Sequence, residues 1–210
     1  APAGAPGAVD AALISHLHLD HLHGPSLRLL AAATIVAPRG ARRLLRRRAA
    51  RIEEVAAGDE VVIGRLRVRA VHAEHDGRRM PGRGRAAALG YLVSGSRVVY
   101  FPGDTGVFPG MADLAAAGID LALMPVWGWG PTLGPGHLDP EEAAQALVLL
   151  QPRQAVPIHW GTYAAGWTRR SRPPAFLRDP PREFAAHAAR LAPEVEVVVL
   201  PPGGTLPLGA

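Results

Sequence analysis

The chain of 210 residues has no cysteine and no lysine. Without cysteine there can be no disulfide, no thiolate metal site and no thiol nucleophile. Any metal must then be held by histidine and carboxylate, a donor set that favours a catalytic site over a structural one. Long apolar runs are also missing, since none approaches the roughly 18–20 residues needed to cross a bilayer. Residues 1–8 (APAGAPGA) lack the charged and apolar regions of a signal peptide, and the expected location is the cytoplasm. Because lysine is absent, all 23 basic residues are arginine, and the formal net charge is +5. In a chain rich in Ala, Gly and Pro, coding bias explains this more readily than an anionic partner does.

What is present is ordinary globular material. A hydrophobic fraction of 48% over 210 residues can bury a real core. Residues 1–8 read as a flexible linker and 9–210 as a single domain. The apolar run 9–15 reads as a buried strand, Pro25 opens a short helix over 26–33, and 34–37 is a strand. Residues 39–51 read as an arginine-dense helix with Leu44 and Leu45 facing inward. Its arginines are expected to be a solvated face first and an anion contact second. Strands follow at 52–55, 60–63 and 66–72, then a hairpin, 89–93 and 97–101, across Ser94-Gly95-Ser96. The second half alternates: helix 111–117, strand 121–124, helix 140–150 capped by Asp139, strand 155–158, helix 181–191, strand 195–200. That order suits sheets covered by helices.

The chemistry is concentrated in His16-Leu17-His18-Leu19-Asp20-His21, directly after the first strand. Every polar residue in it is a good ligand for a borderline divalent metal. In extended backbone, residues two apart point the same way, so His16 and His18 can grip one ion. Asp20 and His21 diverge and suit a second ion beside it. Two ions need further ligands, and three candidates stand where a predicted strand gives way to a loop. They are His75, preferred over His72 inside the strand pattern; Asp104 in Gly103-Asp104-Thr105-Gly106; and His159 after strand 155–158. His23 and His187 are left out, the first because the ligand set is full without it, the second as a helix-surface residue.

The order of these motifs resembles the metallo-β-lactamase superfamily. Within it, the chain is similar to the group containing N-acyl-phosphatidylethanolamine phospholipase D and ascorbate-6-phosphate lactonase. The likeness is carried by H-x-H-x-D-H, the His75 loop, the strand into Tyr100-Phe101-Pro102-Gly103-Asp104-Thr105-Gly106, Gly136-His137-Leu138-Asp139-Pro140, and Pro157-Ile158-His159-Trp160-Gly161-Thr162. It implies an α/β fold, an αββα four-layer sandwich. Members of the group normally carry strands ahead of the H-x-H-x-D-H strand. Here only residues 1–8 precede it, so those N-terminal strands are expected to be missing or short.

The resemblance also implies a ligand set. His16, His18 and His75 would hold one metal, Asp20, His21 and His159 the other, and Asp104 would bridge them. Zinc is the default, with manganese or iron as alternatives. The expected reaction is attack by a metal-bridging hydroxide on an ester, phosphodiester or lactone in a small or lipid-like substrate. Asp20 would steer that hydroxide, and His137 would donate a hydrogen bond to substrate or leaving group. Trp127 and Trp129 either line a pocket for an apolar group or plug the core. Arg78 and Arg79 either meet an anionic group or are exposed loop arginines. The alternatives are a ribonuclease of the same superfamily, for which no RNA-gripping arm is found, and a non-catalytic metal-binding fragment. Nucleic acid is not the expected partner, and the sequence does not set the oligomeric state.

Overall fold

A computed structural model describes residues 9–30, 34–46, 51–78, 84–162 and 174–208. Two sheets stack in it. β1 (Ala11–Leu13), β2 (Thr34–Pro38) and β3 (Arg51–Val55) form a parallel sheet in that order. The other seven strands are β4 (Glu60–Ile63), β5 (Leu66–His72), β6 (Leu89–Ser94), β7 (Val98–Phe101), β8 (Leu121–Pro125), β9 (Gln154–Ile158) and β10 (Glu196–Val197). They form a mixed sheet in the order β10-β9-β8-β7-β6-β5-β4. β4 to β7 run as an antiparallel meander, and β7 to β10 pair in parallel. Parallel strands need crossovers. Here they include α3 (Met111–Leu114), α4 (Pro140–Leu150) and α6 (Pro180–Leu191), with α5 (Ala175–Arg178) just ahead of α6.

Side-chain patterning assigns the layers. Val36 and Val55 of the small sheet pack against Val68, Ala70, Leu89 and Tyr91 of the large one, forming the core between the sheets. Two bonds tie the sheets across it: the Tyr91 hydroxyl donates to Ile14 O at 2.7 Å, and Leu89 N to Ser15 O at 2.9 Å. On the outer face of the large sheet, Leu147 and Leu150 of α4 and Phe184 of α6 pack with Tyr100 and Met124. On the outer face of the small sheet, α1 (Gly24–Leu30) and α2 (Arg42–Leu45) contribute Leu27 and Leu45 to a cluster with Leu17, Leu22 and Ile35. The sequence is therefore helices, sheet, sheet, helices, the expected four-layer α/β sandwich.

Several expected boundaries move. Of the expected arginine-dense helix, Arg42–Leu45 is helical, residues 47–50 lie outside the described residues, and Arg51 pairs with Thr34 as the first residue of β3. Leu45 is buried and Leu44 half-buried, as expected. The helix expected over 111–117 ends at Leu114 and tightens into a 3₁₀ turn closed by Gly118. The last strand shrinks to two residues, where Glu196 and Val197 meet Gln154 and Ala155 at the sheet edge. The 140–150 helix is unchanged. Asp139 accepts from the backbone N–H of Glu141 and Glu142, and Glu142 reaches back to Asp139 N, completing a capping box. Residues 1–8, the expected linker, lie outside the described residues. Among the described residues no helix is long and apolar enough to cross a membrane.

Candidate metal centre

The metal-ligand candidates all sit where strands of the two sheets end. After β1 the chain leaves regular structure and carries His16 and His18 up to a bend at His18. The intervening Leu17 points the other way and is fully buried in the small-sheet cluster. A tight turn follows, with His21 N and Leu22 N both donating to His18 O, at 3.2 and 2.8 Å. Leu22 anchors the turn in the same cluster, and the turn carries Asp20 and His21 round to a second position. His75 follows β5, Asp104 follows β7 and His159 follows β9.

These residues converge as two ligand sets. The candidate ligand atoms of His16, His18, His75 and Asp104 lie within 4.8 Å of one another, as do those of Asp20, His21, Asp104 and His159. Asp104 belongs to both. Its Oδ2 is 3.2 Å from His21 Nε2 and 3.9 Å from His16 Nε2, while Oδ1 is 3.3 Å from His159 Nε2. His72 joins neither set. It is exposed at the end of β5, pairs with Glu74 at 3.2 Å and meets the Phe108 ring edge-on. His23 bonds Ser26 and His187 faces Arg190, both away from the cluster.

The surroundings dictate which nitrogen each ring presents. A carbonyl oxygen can only accept, so an Nδ1 facing one must carry the proton. His75 Nδ1 donates to Gly136 O at 2.7 Å and His159 Nδ1 to Trp127 O at 2.6 Å. Their Nε2 lone pairs are left facing inward, the usual outer-shell arrangement of metal-binding histidines. His21 Nε2 then meets His159 Nε2 at 3.2 Å, and His18 Nδ1 meets His75 Nε2 at 3.1 Å. Two nitrogens bound tetrahedrally to zinc at the usual bond length stand about 3.3 Å apart. His16 Nε2 and Asp104 Oδ1 are buried without a hydrogen-bond partner. The inward nitrogens stand as far apart as two ligands of one ion, and the orphaned buried His16 Nε2 and Asp104 Oδ1 call for a cation, so the residues present fit a metal.

Electrostatics point the same way. Burial opposes charge on Asp20 and Asp104. The imidazoles of His159 and His21 beside Asp20, and of His137 and His21 beside Asp104, prevail and hold both carboxyls well below their usual range. Burial also opposes charge on His21, but Asp104 and Asp20 push it up to about 9. On His16 burial dominates, reinforced by neighbouring His21, and pushes it down to about 2. His75 is lowered, again chiefly by burial.

Two glycines are needed for this packing. Gly103 has φ +66°, and a Cβ there would stand 2.6 Å from Ser15 Cβ. Gly136 has φ +74°, and a Cβ would come within 3.0 Å of His75 Nδ1. His159 itself is left-handed at φ 60°, a rare backbone state for a side-chain-bearing residue and one that clusters at functional sites.

The other site candidates divide. His137 joins the centre: its Nε2 is 3.4 Å from Asp104 Oδ2, and its Nδ1 bonds Gly134 O at 3.1 Å. Trp129 lines a cleft beside Asp20, His21 and His159. Trp127 does not. Its indole N–H donates to Gly130 O at 2.9 Å, and its part in the centre is the carbonyl that orients His159. Arg78 is exposed, pairs with Asp76 at 3.5 Å and lines an open recess reached by His75. Arg79 lies outside the described residues.

Two residues were not singled out from sequence. Ser15, almost fully buried, places its hydroxyl 3.1 Å from His16 Nδ1 and 3.3 Å from His21 Nδ1, so one oxygen touches a ring from each set. Trp160 forms another wall of the cleft. A serine ahead of the H-x-H motif was the available signal for the first. The aromatic next to His159 was the signal for the second.

Comparison with known proteins agrees with this fold and site. The profile of the beta-lactamase superfamily domain matches residues 2–160. The chain belongs to that superfamily, in its UPF0173 group of metal-dependent hydrolases. It is 32% identical over 210 residues to a UPF0173 metal-dependent hydrolase of Thermococcus kodakarensis, covering 95% of this chain and 82% of that one. A UPF0173 protein of Pyrococcus furiosus is 32% identical over 160 residues, 75% of this chain and 70% of that one. Among solved structures, Igni18, a metallo hydrolase of Ignicoccus hospitalis, superposes with a TM-score of 0.72 at 22% identity, covering 94% of this chain and 78% of that one.

Proposed function

We propose that the chain is a dinuclear hydrolase that cleaves an ester, phosphodiester or lactone in a small substrate. One divalent ion is held by His16, His18 and His75, the other by Asp20, His21 and His159. The observation that carries this reading is the position of Asp104, buried to 2% exposure and shared by both ligand sets. Zinc suits the donors best, with manganese and iron as the other candidates. When bound, such ions acidify water toward neutrality and polarise the substrate oxygen.

The chain's own residues supply the rest. Trp127 O, Gly136 O and Ser15 Oγ hold the imidazoles with their bare nitrogens inward. Asp20 Oδ2, 3.4 Å from His21 Nε2, stays anionic and serves to orient the attacking water. His137 faces the shared carboxylate rather than completing either set; with Nδ1 donating to Gly134 O, its protonated form, which Asp104 favours, offers an Nε2–H to a substrate oxygen or the leaving group. No serine nucleophile is required. A cytoplasmic location belongs to this reading.

The test is metal analysis of the purified protein, followed by a hydrolysis panel of phosphodiesters, lactones and N-acyl amides. The expected result is metal-dependent turnover of at least one class, abolished by Asp104→Ala. Protein that is folded, metal-loaded and inert on the whole panel would falsify the reading.

A further inference from the structure

The surroundings of the two ligand sets differ in chemistry. Beside His75 lies an open recess with Arg39, Arg78, Arg85, Glu74 and Asp76 in its wall. Beside Asp20, His21 and His159 lies a narrower cleft of about 130 Å³, walled by Gly128, Trp129, Trp160, Gly161 and Thr162. Apart from the candidate ligands, no charged residue among the described residues lines this second cleft. Trp160 Nε1 donates to Pro157 O at 3.1 Å. That bond, and packing of the ring against the main core, hold the Trp160 face in place. Trp129 is 51% exposed, an unusual amount of apolar surface beside a polar centre.

We propose that this cleft is the subsite for an apolar group of the substrate, of the size of one aromatic ring or a short acyl chain. The proposal rests on the dinuclear reading above and sharpens its substrate class. Size sets the limit, because an apolar cavity of about 150 Å³ accepts one benzene ring. Chemistry sets the kind: aromatic walls reward burial of apolar surface, and among the described residues no arginine lines the cleft to hold an anionic group. The cleft reaches His21 and His159 directly, so a group held there keeps its reacting carbon or phosphorus at the centre. A long lipid chain would extend past these walls, and its distal carbons would gain nothing from them.

The test uses the whole, metal-loaded chain and hydroxamates, whose two oxygens bind metal whatever the substituent. Titration calorimetry would compare acetohydroxamate, hexanohydroxamate, decanohydroxamate and benzohydroxamate. Benzohydroxamate is expected to bind at least about tenfold tighter than acetohydroxamate, and affinity to level off between the six- and ten-carbon chains. Trp129→Ala, at an exposed loop position that should not disturb folding, is expected to bring the benzo-to-aceto ratio close to one. Trp129→Phe should restore most of it. A ratio near one in the unmodified protein, a ratio unchanged by Trp129→Ala, or affinity still climbing at ten carbons would overturn the proposal. If no hydroxamate binds the metal-loaded protein, the dinuclear reading fails and this one with it. If all bind equally, only the subsite fails.

Discussion

The two sheets are built unequally, and the centre lies where they meet. The seven-stranded sheet carries α4 and α6, eleven and twelve residues long, over a large continuous core. Among the described residues, the three-stranded sheet has β1, three half-buried residues, and helices of seven and four residues over a smaller cluster. Yet the small sheet supplies four of the seven candidate ligands, on a single loop, and the large sheet supplies three, from the ends of three strands. A rigid frame thus presents single ligands far apart in sequence, while the less deeply packed part presents a contiguous cluster. Ligand binding across the seam therefore stabilises the small sheet more than the large one.

That contrast can be broken at its hinge. Asp104→Ala removes the carboxylate both sets share, and activity is expected to fall by about a thousandfold or more, checked by steady-state kinetics on any substrate found. A loss of less than tenfold would mean that the two sets work independently. Leu147→Ala, in the large core, should cost about 2–5 kcal/mol of global stability by denaturant unfolding. Leu45→Ala, in the small cluster, should show its effect first as weakened metal loading. If the two substitutions have the same signature, the halves are not distinct.

Subtler changes sharpen the comparison. Ser15→Ala leaves the frame intact but frees two rings, one per set, and should weaken metal affinity about 10–100-fold. A titration showing weakening in only one of two binding steps would remove its role in both. Tyr91→Phe deletes the hydroxyl bond from β6 to Ile14 O and should cost about 1 kcal/mol by thermal unfolding. A negligible change would show that apolar packing alone joins the sheets.

The same inequality explains what the sequence disclosed. The H-x-H-x-D-H loop is legible because its ligands are contiguous. His75, Asp104 and His159 are legible because each interrupts an apolar strand pattern at its end. Helix 140–150 is legible because its cap, Asp139 with Glu142, is local. What depends on pairing partners is not: Arg51 belongs to a strand because β2 lies beside it, and the last strand is confined to Glu196 and Val197, the two residues that pair with β9. The division of labour between Trp127 and Trp129 depends on groups distant in sequence, whereas Ser15 meets rings only one and six positions further on. The expected linker 1–8 and Arg79 lie outside the described residues.

The account stands on two ions gathered by one shared carboxylate, and counting metal tests it most directly. Apo protein, reloaded with excess zinc and desalted, would be measured by mass-spectrometric elemental analysis alongside Asp104→Ala. The account predicts two ions per chain in the unmodified protein and at most one in the variant. Two ions retained by the variant, or none in a folded unmodified chain, would contradict it.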